Sequence, residues 1–566
     1  MSEAAYRDVT AAISSESMKK LLEHFSSLHR LTGKPDCEKA AAYIIEQLKA
    51  YGIDCELYQF DGYFSDPIKS ELTVYGEEDG TIVPSKPRSF SLNCPSGITG
   101  ELIYDHSSQG APVNKMEEKE LYSRFRGKVV LSWNFYEDYV KKIEAYGAIG
   151  LVHIWPTDEK VIHEETVGPI WGTPTQDNYG WLPAIPVVGL KKEDGTGLLE
   201  RVKRETVKVR LRSWVENHVA PTSLPVAWIP GKTEDYVLVS GHYDSWHEGI
   251  TDNAVGNAVC LEMARVFSQL PGKMERGVKI AFWPGHSNGR YMGSTWFCDH
   301  FWQELHDRCA AHLNIDSPGS QGGAAVLPRT TCLEGKEFTA RLIKEFTGNS
   351  PMSVLDIPRG ADQSFWGTGI PFHIMYKYEP VPEKKLYSCP GSGGGWWWHS
   401  EYDSMDKVDY DILLRDAALN TATAYMLASA KRLPADFESY FNRLLDIIKN
   451  LDEHSDAAFD FQPVLKAMSS LKEKVIGAMN GLSDDGEANR LIREIGGNLS
   501  RLMYSSGSEY EFDNTFPSKP FQGLQQVSGV YKDNTPADQF LFAYTGFIRH
   551  QNRIINEIRE LNKKLL

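Results

Sequence analysis

The chain has 566 residues, of which 41% are hydrophobic and 24% charged, with a formal net charge of −16 at pH 7. That length exceeds what a single hydrophobic core organises, so several domains are expected. The acidic balance argues against general affinity for nucleic acid or anionic membranes.

The start, MSEAAYRDVTAAISSESMKK, is polar and lacks the apolar centre of a signal peptide. No stretch approaches the roughly 20 apolar residues that cross a bilayer, and a cytoplasmic location is expected. The eight cysteines (Cys37, Cys55, Cys94, Cys260, Cys298, Cys309, Cys332, Cys389) are scattered, with no zinc-knuckle spacing, and read as free thiols in a reducing compartment.

Residues 17–51 read as helix interrupted at Pro35, with Met18, Leu21, Leu22 and Phe25 at helical spacing and Ala42, Ile45 and Leu48 beyond. Gly52 ends the second helix and CELYQF follows as a strand. From about 65 to 215 the texture is of short strands with Gly/Pro punctuation: GELIYDH (100–106), GKVVLSW (127–133), AIGLVHIW (148–155) and AIPVVGL (184–190). One amphipathic helix, EDYVKKIEAYGA, lies between the second and third. This part reads as a β-rich insert.

From 220 to 432 strand, loop and helix alternate. DYVLVSGHYDS (235–245), GVKIAFW (277–283) and AAHLNID (310–316) are short apolar runs of the kind buried on both faces of a sheet. DNAVGNAVCLEMARVFSQL (252–270) is a helix with Val255, Val259, Met263 and Phe267 on one stripe. Such alternation predicts an α/β sheet whose functional loops follow the carboxyl ends of its strands. The tail, 435–566, is helical, with one stripe of Phe437, Tyr440, Phe441, Leu444, Leu445, Ile448 and Leu451, and another of Phe547, Ile554, Ile555, Ile558 and Leu561.

Three loops bear acidic or histidine side chains after those strands: His242 to Asp252, Asn314-Ile315-Asp316, and His399 to Asp403 behind a Gly- and Trp-rich run. Zinc takes imidazole nitrogen and carboxylate oxygen at about 2.0–2.2 Å, commonly from three protein ligands at a catalytic site. His242, Asp252 and Asp316 supply such a set. Asp244, two residues beyond His242 on an extended strand, suits an acceptor for the other imidazole N–H. Singly, each residue has an ordinary structural role, a capping Asp or a hydrogen-bonded core His. The case rests on their conjunction.

GHYDSW, TDNAVGNAVCLEMARVF, KIAFW with GSTWF, HLNID, ADQSFWGTGIPF and HSEYDSMDKVD, in this order, resemble the signature of the co-catalytic zinc peptidase family, which includes aminopeptidases, glutamate carboxypeptidase and the transferrin receptor. The resemblance implies an α/β zinc-peptidase domain of 1–62 and 220–432, a protease-associated insert at 63–219, and a helical domain at 433–566 that makes a homodimer. It also implies one metal on His242 and Asp316, with Asp252 bridging to a second held by His399 and a glutamate.

At that glutamate the sequence departs. Where the family places two adjacent glutamates, a general base and a ligand, this chain reads Pro284-Gly285-His286-Ser287-Asn288-Gly289-Arg290. His286 then stands as a replacement nitrogen ligand, or as the base, or the second site is empty; with one or two zinc or other divalent ions, all three remain open here. Arg290 and Arg359 could hold a substrate carboxylate or form structural ion pairs. Trp396, Trp397 and Trp398, after Gly393-Gly394-Gly395, form a substrate-facing wall or interface packing. Asp362 and Phe365 match the family's stretch before the last strand, where they shape the pocket. The activity expected is metal-assisted hydrolysis of an amide or peptide-like bond in a small substrate. A non-hydrolytic metalloenzyme (lyase or cyclase) and a catalytically silent binding homologue are the rivals.

Overall fold

The structure is a computed structural model that describes residues 4–76, 80–109, 115–270, 272–351, 353–380, 395–516 and 519–565. Gly393, Gly394 and Cys389 lie outside the described residues.

One mixed sheet runs through the α/β part and the insert. Its strands are β1 (Asp54–Tyr75), β2 (Thr81–Val83), β3 (Lys86–Pro87), β4 (Cys94–Tyr104), β5 (Val129–Ser132), β6 (Gly150–Ile154) and β7 (Val187–Leu190). They continue with β8 (Val207–Ile229), β9 (Tyr236–His242), β10 (Gly277–Trp283), β11 (Cys309–Asn314), β12 (Ala325–Thr330), β13 (Leu355–Asp356) and β14 (Phe372–Glu379). The order is β13-β12-β14-β11-β9-β10-β8-β4-β5-β6-β7-β3, with β1 and β2 off this path. β9 is buried along its whole length, which is why it reads as an uninterrupted apolar run. It lies parallel to β10 and β11, and β14 is parallel to β11. Their carboxyl ends therefore share one edge, with His242 paired to Trp283 and Asn314 to Ser240.

β1 and β8 pair antiparallel from Asp54↔Trp228 to Tyr75↔Lys208, with one irregularity at Pro67/Lys69. The expected boundaries at 62/63 and 219/220 fall inside this ribbon, where Gly62 pairs with Ala220 and Tyr63 with Val219. The ribbon carries the sheet past the α/β core to β4–β7, which bury Leu102, Leu131, Val152 and Val188 on one face and Val130, Leu151 and Val187 on the other.

Helices Ser15–Phe25, Pro35–Ala50, Val255–Phe267 and Tyr410–Ser429 contribute to the large core. The expected helix over 252–270 begins at Val255: Asp252 and Asn253 have φ of −137° and −142°, outside the helical range. The cause is local. Asp403 accepts the Thr251 and Asp252 N–H groups at 2.9 and 3.0 Å, and Asn253 Nδ2 donates to Ile315 O at 2.9 Å, so the chain is tied down before it can coil. The C-terminal part is helical (Phe437–Glu453, Gln462–Gly481, Asp485–Tyr504, Ala537–Lys564), and its first stripe is buried throughout in the same core. Among the described residues, no helix is long and apolar enough to cross a membrane.

Candidate metal centre

His242 ends β9, Asp316 lies two residues past β11, and Asp252 sits on the tied loop before the Val255–Phe267 helix. One ligand atom from each lies within 4.8 Å of the others, and all three residues are buried. His242 Nε2 is 3.1 Å from Asp252 Oδ1 and 3.9 Å from Asp316 Oδ1. The two strand ends approach closely because residue 241 is glycine: a Cβ there would stand 2.9 Å from the Ile315 carbonyl oxygen.

Charge is unbalanced in this cluster. Burial alone would lower the His242 pKa, but Asp244, Asp252 and Asp316 outweigh it and hold the imidazole well above its ordinary value. Burial raises the Asp316 carboxyl, and the nearby Asp252 raises it further. Two buried carboxylates around one imidazole are the environment that a divalent cation relieves, so the donor set fits such an ion.

His399 turns Nε2 onto the other oxygen of Asp252, at 3.0 Å. Its Nδ1–H donates to the Glu164 carbonyl at 3.0 Å, so a residue of the insert fixes the ring. Apart from Asp252, the carboxylate paired with His399 is Glu165, 4.0 Å from Nδ1, on the edge of the ring turned away from Asp252.

His286 stacks on His242, with ring centroids 3.8 Å apart and planes 10° from parallel. Its Nδ1–H donates to Asp362 Oδ2 at 2.8 Å. Asp362 Oδ1 accepts from Ser294 Oγ at 2.8 Å, Ser294 meets Ser364 at 2.8 Å, and the Trp171 indole N–H donates to Ser364 at 2.8 Å. His286 is absent from the three-donor group. The expected role of Asp244 changes in detail. The His242 Nδ1–H donates to the Asp244 backbone carbonyl at 3.0 Å, while the nearer carboxylate oxygen is 3.6 Å away. That carboxylate instead accepts the His286 and Ser287 N–H groups at 3.1 and 3.0 Å. The reason is that β9 ends at His242, so the alternation of an extended strand does not extend to residue 244.

Arg290 and Arg359 are engaged within the chain. Arg290 pairs with Glu137 of the insert; Arg359 donates to Gln522 and the Asn514 carbonyl and lies 3.6 Å from Asp513. Trp397 is buried and donates to Thr251 Oγ1 at 2.9 Å, Trp398 stacks on His399 at 3.5 Å, and Trp396 packs on Tyr402 at 5.6 Å. Phe365 is buried and packs edge-on to His312.

Several supporting residues escaped the reading of the sequence. Arg30 is fully buried and donates to the carbonyls of Tyr243, Glu248 and Gly249 at 2.8, 2.7 and 2.9 Å, stapling the loop that follows His242. Asp403 anchors residues 251–252, and Glu164 reaches His399 from the insert. Asp403 stands in the HSEYDS motif and could have been weighed. Arg30 and Glu164 carry no local signal, because Arg30 bonds to backbone carbonyls, and the Glu164 carbonyl to a side chain, far away in sequence.

A mixed sheet with helices on its faces and a buried imidazole–dicarboxylate group at its carboxyl edge has the donor arrangement of a metal-dependent enzyme. Residues 226–424 match the sequence profile of Peptidase family M28. The chain is 26% identical over 416 residues to aminopeptidase YwaD of Bacillus subtilis (strain 168), spanning 72% of this chain and 82% of that one. It is 22% identical over 426 residues to carboxypeptidase Q of Xenopus laevis, spanning 72% and 84%. The fold is similar to that of a zinc aminopeptidase from Bacillus subtilis, with a TM-score of 0.51 and 20% identity over 74% of this chain and 95% of that one. These matches make the chain peptidase-like, with the similarity to family M28 carried by residues 226–424.

Proposed function

We propose that the protein is a metal-dependent hydrolase of an amide or peptide bond in a small substrate, with an active site altered from the family pattern. The observation that carries this reading is the buried His242–Asp252–Asp316 group, whose ligand atoms lie within 4.8 Å of one another. These residues would hold a divalent ion, zinc by the match of imidazole and carboxylate donors. When bound, such an ion polarises a carbonyl and acidifies water at neutral pH. His242 presents Nε2 to Asp252 Oδ1 at 3.1 Å because the Asp244 carbonyl holds Nδ1–H. Asp252 is steadied by His399 on its second oxygen. Among the described residues, a second ion would find Asp252 and His399 in place of the family's stronger set, since Ser287 replaces the glutamate ligand and Glu165 faces the far edge of the His399 ring.

His286 serves as the general base. With Nδ1–H donated to Asp362, its Nε2 is the nitrogen left to accept a proton, and its ring lies against His242. A positioned base contributes about 10²–10⁴ in rate. Residues 63–219 are read as the protease-associated insert, supported by the order of β4–β7, and 433–566 as a dimerising helical domain.

The test is metal analysis of the purified protein together with hydrolysis of a panel of aminoacyl and short-peptide amides in ¹⁸O-labelled water. One equivalent of zinc and one labelled oxygen per cleaved bond are expected. A metal-free protein, or products formed without solvent oxygen, would overturn the reading.

A further inference from the structure

We propose that the 159–165 segment of the insert is a strap that aims His399 at Asp252, with His163 as its positioning residue. The inference rests on the functional reading above, in which Asp252 holds the ion and His399 steadies Asp252.

The contacts form a closed circuit. The Glu164 N–H donates to the His399 carbonyl at 2.8 Å, and the His399 Nδ1–H donates back to the Glu164 carbonyl at 3.0 Å. This reciprocal pair fixes both the main chain and the ring of His399, and it leaves Nε2 facing Asp252 Oδ2 at 3.0 Å. One residue earlier, the imidazole of His163 meets the Trp398 carbonyl through Nδ1 and the Glu159 carboxylate through Nε2, the latter at 3.0 Å. Glu159 is held in turn by the Trp155 indole N–H at 3.0 Å. The rings repeat the pattern: Trp155 stacks on His163 with centroids 4.0 Å apart, and Trp398 stacks on His399 at 3.5 Å. The strap is itself anchored, because the Ser89 N–H donates to Glu165 O at 2.9 Å and the Val167 N–H to Ser89 O at 3.0 Å. His163 is fully buried.

An imidazole that supports a metal carboxylate must present one nitrogen in one direction, and the bond made by its other nitrogen sets that direction. Here the bond comes from another part of the chain, reached through the β1/β8 ribbon. His163 touches neither Asp252 nor Asp316; it acts by holding the Trp398–His399 main chain against the strap. Loss of outer partners of metal ligands typically weakens metal binding by about 10–100-fold.

The experiment measures zinc affinity of the full-length protein by competition with a chromophoric chelator, so it does not depend on finding a substrate. His163→Leu removes both polar contacts at similar size, His163→Asn keeps a donor for the Trp398 carbonyl, and His399→Ala is the control. We expect His163→Leu to weaken zinc binding about tenfold and His163→Asn to restore most of it, with the chelated proteins unfolding at similar temperatures. Wild-type affinity in His163→Leu alongside weakened His399→Ala would overturn the strap. Wild-type affinity in His399→Ala would instead remove the reading beneath it. Should His163→Leu fail to fold, Glu159→Gln, which keeps the imidazole and loosens its anchor, is judged by the same two outcomes.

Discussion

Asp316 concentrates the electrostatics of the centre. Burial and the neighbouring Asp252 both raise its pKa, so the cluster is under strain from like charge until a cation joins it. Asp316→Asn keeps the shape and removes one charge. Its chelated form should be at least as stable as chelated wild type, while its zinc affinity falls by at least about 10²-fold, more than loss of an outer partner costs. Zinc at 100 times the wild-type dissociation constant should stabilise the wild type by about 2.7 kcal/mol and Asp316→Asn by no more than about 0.4 kcal/mol; thermal unfolding with and without chelator reads both. An equal response of the two proteins would dismiss the three-donor site. His286 makes the opposite forecast. His286→Ala should keep its zinc and lose about 10²–10⁴ in kcat, with Asp362→Asn falling less because the ring stays in place. Loss of zinc with the ring would reassign His286 as a ligand. Of these residues, His242, Asp252, Asp316 and His399 were legible in the sequence because each stands in a recognisable motif. Arg30 and Glu164 were not, since a side chain bonded to distant carbonyls, or a carbonyl bonded to a distant side chain, leaves no pattern of spacing.

At the level of elements, short apolar runs identified β9, β10 and β11, and helical spacing the first C-terminal stripe, because these segments are buried and burial is what a hydrophobic pattern records. Helical spacing misplaced the start of the Val255 helix, where hydrogen bonds to the Asp403 carboxylate and from Asn253 Nδ2 override helix propensity. Glu334, between β12 and the helix Lys336–Thr347, illustrates a cost that periodicity cannot show. Burial pushes its carboxyl up to about 7 from 4.5. The folded protein then binds a proton that the unfolded chain has released between about pH 4.5 and 7, so this group's contribution to stability declines as pH rises through that window. Glu334→Gln cannot ionise. Its stability should be close to wild type near pH 4.5 and exceed it at pH 8 by up to about 3 kcal/mol, read as a higher unfolding temperature. A parallel pH dependence in the two proteins would show that Glu334 does not titrate in this range.

Across the whole molecule, the sequence suggested three separable parts, and the fold joins them more tightly than composition implies. The boundaries at 62/63 and 219/220 lie side by side within one ribbon, and the Phe437 stripe packs into the same core as the sheet. Short Gly/Pro-punctuated strands look like a new domain in a sequence even when a long pair such as β1/β8 carries the sheet across, because strand pairing is not local. The tail leaves one surface to explain. On Ala537–Lys564, Leu541 and Phe542 are 58% and 68% exposed, next to the partly exposed Tyr544. Adjacent apolar side chains on a helix face are a liability for an isolated chain and commonly mark contact surfaces. A stable dimer buries on the order of 800 Å² per partner, so this face would be the centre of a larger contact. At micromolar concentration the wild type should sediment at twice the chain mass, and Leu541→Asp with Phe542→Asp should bring it to the chain mass with zinc content unchanged. Wild type sedimenting as a single chain would refute the dimer, and a dimer insensitive to both substitutions would move the interface off this helix.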